Sequence, residues 1–183
     1  RRERAKELLD RVARCKTFEE AYRVLGFKYL LDAKGSLDRI NSETIDLVFS
    51  SDVMEHIPQL ALPTLAEDLF RILKRGGMVA QQIVPSDHLC IYARNAHRKS
   101  YLQYSDNVWS RWFENEVQYQ NRWQQSDFRN LFESKGFAVV ADEIVATVDS
   151  SSLKVARRWE NYPRLDLDAT VTRLLVRKPS SQK

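Results

Sequence analysis

The chain has 183 residues, 43% of them apolar, with four Trp, seven Tyr and eight Phe. That is enough for one domain with a proper core, and it excludes a wholly disordered segment. Lys and Arg number 29 against 25 Asp and Glu, a net charge of +4, and their interleaving argues against a dedicated nucleic-acid surface.

The first stretch, RRERAKELLDRVARCK, sets Leu8, Leu9, Val12 and Ala13 at helical spacing beside a charged face. It reads as an amphipathic helix over 3–14, followed by a second helix over 18–25. FKYLLD (27–32) reads as a short strand. TIDLVFS (44–50) is β-branched and aromatic with apolar residues on both faces, as in a central parallel strand. Leu62, Leu65, Leu69 and Ile72 then form one helical stripe with Pro63 in the first turn. LKRGG is expected to end that helix, with Gly76 as a left-handed cap. MVAQQIV (78–84) is the next strand. SDFRNLFESKG carries a Phe128–Leu131–Phe132 stripe and a Gly136 stop, and FAVVADEIV (137–145) follows as a strand. A helical piece around 151–160 precedes a last strand, ATVTRLLVRKP. Strands alternating with helices predict an α/β layered fold.

Cys15 and Cys90 are far apart and form no CxxC, so free thiols in a reducing, cytoplasmic compartment are expected. No apolar run reaches the roughly 18–20 residues of a membrane span, and no signal-peptide pattern is present. The chain opens on Arg1 without Met, which suggests a start upstream.

The run IDLVFSSDVMEHI…LAEDLFRILKRGGMVAQQIVP resembles the C-terminal half of a class I S-adenosylmethionine-dependent methyltransferase. Members carry an FDLV-type strand, a loop ending in Leu/Met-Glu-His, a helix, LKPGG and another strand. Arg75 here replaces the usual Pro. YQNRWQQSDFRNLFESKGFAVV resembles a run found in bacterial relatives of the type 11 kind that often modify glycans or small metabolites. The resemblance extends from about residue 27 to 178. It implies a partial Rossmann-like sheet with flanking helices and an antiparallel last strand. It also divides the chain as a single incomplete domain: a helical lead-in (1–26), a cofactor-side half (27–85), an acceptor-side insertion or lid (86–123), C-terminal sheet and helices (124–178) and a tail (179–183). None of the five glycines forms the family's Gly-x-Gly cofactor turn. The resemblance therefore implies that two strands of the fold are absent, with weak cofactor binding or a homodimer repairing the gap.

In open α/β sheets ligands lie beyond the carboxyl ends of the strands. The resemblance places Ser51 and Asp52 beside the methionine part of S-adenosylmethionine, and Asp32 and Ala33 at its adenine. Helix capping by Ser50, Ser51 and Asp52 is the plain alternative. His56, with His88 as a second candidate, reads as a general base or an orienter of an acceptor hydroxyl. Asp52, Glu55 and His56 also fall on one side of a helical turn and could hold Mg²⁺, with His88 or His97 as a fourth ligand. Ubiquinone-pathway and small-RNA 2′-O-methyltransferases carry a similar Glu/Asp-x-x-Glu-His run. In metal-free relatives these two residues tie the loop to its neighbours.

Residues 86–123 hold three of the four Trp, and Tyr104, Trp109, Trp112, Asn121 and Arg122 are candidates for acceptor contact. Tyr104, Trp109, Trp112 and Phe113 also fall near helical spacing, which is core packing. The leading function is methyl transfer to an oxygen of a glycan precursor or small metabolite. A non-catalytic methyltransferase-like interaction module and a metal-dependent RNA 2′-O-methyltransferase are the alternatives. No catalytic pair for hydride transfer is apparent, which disfavours a nicotinamide enzyme.

Overall fold

Helix signals and β-branched runs resolve into six α-helices and four strands among the described residues, 2–32, 35–115 and 119–180 of the computed structural model. The chain divides into two compact units, residues 1–36 and 37–183.

In the first unit, α1 (Arg2–Ala13) and α2 (Phe18–Leu25) match their expected positions. Thr17 caps α2 by accepting from Glu20 N, and Gly26, at φ 78°, ends it. This left-handed conformation is one that only glycine adopts without strain. The strand expected at 27–32 does not form. Phe27 N instead donates to Tyr22 O (3.0 Å), and the Phe27 and Tyr29 rings lie 4.7 and 5.7 Å from that of Tyr22. A strand exists only with a ladder partner, and these apolar side chains find an aromatic one on α2 instead.

The second unit is a four-stranded sheet. Its strands are β1 (Ile45–Ser51), β2 (Leu73–Ile83), β3 (Ala138–Thr147) and β4 (Ala169–Arg177), in the order β1-β2-β4-β3. β1 and β2 are parallel, joined through α3 (Leu62–Ile72), and β4 runs antiparallel to both neighbours. The register aligns Val48, Val79, Val176 and Val139 in one row across all four strands. Leu62, Ala66, Leu69 and Ile72 of α3 pack on this face with Phe128, Leu131 and Phe132 of α5 (Gln125–Ser134). The adjacent row, Phe49, Ala80, Leu175 and Ala141, belongs to the other face. There Phe49 is 70% exposed.

Two boundaries differ from expectation. α3 ends at Ile72, immediately before LKRGG and one turn before the expected Gly76 cap, because Leu73 is already extended. Gly76 does take φ 78°, but its N–H donates to Lys178 O (2.9 Å) and ties the start of β2 to the end of β4. Beside it, a Cβ on Gly77 would lie 2.9 Å from Lys74 O, so only glycine fits. The helix expected at 151–160 is a single 3-10 turn, Arg157–Trp159, followed by the short α6 (Arg164–Asp168). Ser150 N and Oγ both donate to Asp168 Oδ1 (3.0 and 2.6 Å), and Ala156 N donates to Leu102 O. Tertiary acceptors have taken the donors that a helix would use.

Candidate active site at the carboxyl ends of the parallel strands

β1 and β2 end together, with Ser51 opposite Gln82. Gln82 Nε2 donates to Ser51 Oγ (3.1 Å) and to Asp52 Oδ1 (3.3 Å), and Asp52 N donates back to Gln82 O (3.0 Å). Asp52 has φ 57°, a left-handed turn that stops the strand. Ser51 and Asp52 thereby stand as an exposed polar pair at the strand end. Ser50 faces the other way and bonds to Gln81.

Met54–His56 then makes a 3-10 turn whose Met54 and Glu55 are buried. Glu55 is only 1% exposed. Its Oε1 accepts from Val84 N (3.2 Å), while Oε2 has no hydrogen-bond partner. Burial raises the Glu55 carboxyl above the ordinary range, against the opposing effect of nearby backbone donors and His56. His56 Nδ1 lies 2.7 Å from the carbonyl of Tyr119. A carbonyl only accepts, so Nδ1 carries the hydrogen and Nε2 the lone pair. The rings of His56 and His88 lie 4.9 Å apart at 45°. Burial lowers the His88 pKa, and the neighbouring His56 lowers it further. Glu55, His56 and His88 each offer one ligand atom within 4.8 Å of the others. Asp52 lies outside that group, and His97 is engaged elsewhere, Nε2 being 3.0 Å from Asp149 O.

Asn121 secures the turn from below. Its Nδ2 donates to Met54 O (2.7 Å) and Ile57 O (2.9 Å), and its N–H donates to Glu55 O (2.8 Å). It is buried and acts on the site through these bonds. Arg122 is also buried; it donates to Tyr104 O (3.1 Å) and pairs with Asp106, which Arg158 shares. Its guanidinium sits 5.0 Å from the Trp109 ring and 5.9 Å from that of Trp159. Trp109 is 5% exposed, within a second core of Tyr101, Leu102, Trp159 and Leu167, with Tyr104 against it. Trp112, one turn of helix α4 (Asp106–Trp112) further on, is 72% exposed. Pro58, Gln59, Tyr119, Asp106, Arg122 and Arg158 line a cleft of about 610 Å³ beside the His56 turn.

In the first unit, the Asp32 carboxylate accepts from Ser36 N (3.1 Å). Ala33 lies outside the described residues. The sequence reading missed Gln82, the backbone partners at Val84 and Tyr119, and the buried Lys99. Lys99 Nζ donates to Gln124 Oε1 (2.8 Å) and Tyr101 Oη (3.1 Å). No local pattern marks a lysine as buried. Gln82, by contrast, lies directly across the parallel ladder from Ser51, a predicted site residue.

Among the described residues no helix is long and apolar enough to cross a membrane. No curated protein matches the sequence. Solved structures do match the fold. An S-adenosylmethionine-dependent methyltransferase from Methanosarcina mazei is 12% identical, with a TM-score of 0.56 over 85% of this chain and 68% of that one. One from Mesorhizobium loti is 14% identical, with a TM-score of 0.53 over 89% and 76%. Identities this low establish the fold alone. A family model described as a methyltransferase domain matches residues 2–142, most of the chain. With the strand-end polar pair and the sheet order in place, that match identifies the chain as a member of the methyltransferase domain family, enzymes of the class I fold that use S-adenosylmethionine.

Proposed function

We propose that the chain transfers a methyl group from S-adenosylmethionine to a hydroxyl oxygen of a glycan precursor or small metabolite. Ser51 and Asp52 serve the cofactor side, and Glu55, His56 and His88 the acceptor side. The observation that carries this reading is the His56–His88 ring pair, 4.9 Å apart, beside a buried carboxylate.

The residues fit one end of the cofactor. Asp52 is an exposed carboxylate at the end of a parallel strand, suited to the ammonium of a methionine moiety, and Ser51 adds a hydroxyl held by Gln82. No Gly-x-Gly turn is present in the sequence to cradle the remainder. Asp32 and Ala33 stay candidates for the adenine end. When bound, the cofactor supplies an electrophilic methyl group and a thioether leaving group. The chain's task is then to orient the acceptor and take its proton. His56 Nε2 is the available lone pair, because Tyr119 O fixes the hydrogen on Nδ1. The lowered pKa of His88 keeps a second imidazole neutral beside it.

The acceptor side extends into the cleft at Tyr119, Gln59 and Arg122; exposed Trp112 is not among the residues lining that cleft and stays a candidate aromatic contact outside it. Trp109, Asn121 and Arg122 shape that side from buried positions, and Tyr104 from a half-buried one. Interleaved surface charge favours a small acceptor over nucleic acid. Among the described residues β1 is an edge strand of the sheet, and together with exposed Phe49 this favours self-association. A panel of hydroxylated sugars, nucleotide sugars, phenols and RNA, assayed with methyl-labelled S-adenosylmethionine, tests the reading. Label on a small hydroxylated acceptor supports it; label on RNA alone, or on none, refutes it.

A further inference from the structure

The free oxygen of Glu55 is the least explained atom in this site. A buried carboxylate oxygen without a partner costs about 1–3 kcal/mol or more relative to a bonded one, so an occupant that satisfies it is strongly favoured. The surroundings are already set for one. Glu55 Oε1 is tied to Val84 N, which leaves Oε2 directed away from that bond. His56 donates Nδ1–H to the Tyr119 carbonyl, the outer bond by which ligating histidines are usually oriented. Its Nε2 is then free to bind. His88 brings a second imidazole, and the three ligand atoms lie within 4.8 Å of one another.

We propose that Glu55, His56 and His88 bind one borderline divalent cation of the zinc(II) or cobalt(II) class. Two imidazoles and one carboxylate suit these ions, whereas Mg²⁺ and Ca²⁺ prefer all-oxygen sites. Ligands at about 2.0–2.1 Å from a tetrahedral ion stand roughly 3.4 Å apart, so the half-buried imidazoles close by about 1.4 Å at most. Asp52 is not a ligand, because it faces Gln82 outside the group. The fourth position is left for water or an acceptor oxygen.

The site rests on the methyl-transfer reading for its use and not for its binding. An acceptor hydroxyl on the ion would lose its proton to solvent at lower pH than when free. The oxygen lone pair would form the new O–CH₃ bond as the C–S bond breaks and the electron pair returns to sulfur. With the ion bound, the His56 lone pair is engaged and solvent takes the proton; without it, His56 Nε2 remains the proton acceptor.

The test uses the 183-residue chain, freed of metal with a chelator and titrated with Co²⁺, following visible d–d absorption. One equivalent, displaced by Zn²⁺ and unaffected by Mg²⁺, is expected. His88→Ala and Glu55→Gln should abolish the absorption, and His97→Ala should leave it intact. Circular dichroism checks that each variant folds; His88 is half-buried, so its variant remains informative if Glu55→Gln does not fold. No Co²⁺ absorption, or absorption unchanged by His88→Ala, overturns the proposal. Co²⁺ binding without methyl transfer refutes the functional reading and leaves the site standing. Methyl transfer undiminished in chelator, without Co²⁺ binding, does the reverse.

Discussion

His56 and His88 are separated by 32 positions in sequence, yet their rings lie 4.9 Å apart at the carboxyl ends of β1 and β2. One follows the first parallel strand and the other follows the second. The parallel pairing of those strands brings the two post-strand turns to the same end of the sheet.

If this pair handles the acceptor proton, His88→Ala should lower kcat by about 100-fold while leaving the fold intact, since general-base contributions are of that size. The lowered pKa of His88 fixes the direction of the pH effect. Its imidazole stays neutral to below the ordinary histidine value of about 6.5, so the contribution of His88 to the acid limb of kcat/KM should lie below that pH. A rate profile of wild type and His88→Ala checks both points.

Asn121 holds the turn without facing the chemistry. Asn121→Ala removes two hydrogen bonds to Met54 O and Ile57 O, and leaves these carbonyls poorly satisfied. A loss of about 2–3 kcal/mol in urea unfolding is expected. Cobalt binding should weaken as well, because Glu55 and His56 ride on that turn.

Lys99 gives a pH signature of its own. Burial pushes its pKa down to about 7, with Asp166 and Asp168 opposing. The unfolded lysine titrates near 10.4, so between about pH 7 and 10 the unfolded chain holds a proton that the native chain has released. Stability therefore rises with pH across that window, and the full cost of the buried charge is present below pH 7. Lys99→Met should gain most over wild type at pH 6, and that advantage should shrink by on the order of 3–4 kcal/mol by pH 10. Paired denaturation curves at the two pH values measure it; a constant difference would contradict the assignment.

Trp109 and Trp112 separate packing from recognition. Trp109→Ala should cost about 3–5 kcal/mol, as for other buried aromatics. Trp112→Ala, at an exposed position, should stay within about 0.5 kcal/mol. If Trp112 meets the acceptor, that variant raises KM with little change in stability.

Periodicity made the layered sheet legible: the stripes of α3 and α5 and the valines of the four strands encode their own burial. It failed where tertiary partners decided the outcome. Residues 27–32 have strand composition, but their aromatic rings pack on Tyr22. Ser150, just ahead of 151–160, gave its donors to Asp168, and Ala156 within that segment gave its amide to Leu102. At the site, Glu55 and His56 stand out in DVMEH, while contacts across some 30 to 60 residues leave no local trace. The Tyr119 carbonyl and the Val84 amide are backbone groups, and no sequence pattern marks them.

The central claim, that the strand-end pair Ser51 and Asp52 receives the methionine end of the cofactor, is tested most directly by calorimetric titration of S-adenosylmethionine into the 183-residue chain and its Asp52→Ala variant. The account predicts weak binding to wild type, around the millimolar range or about −4 kcal/mol, and a loss of at least about tenfold in the variant. Tight binding that Asp52→Ala leaves unchanged would contradict it.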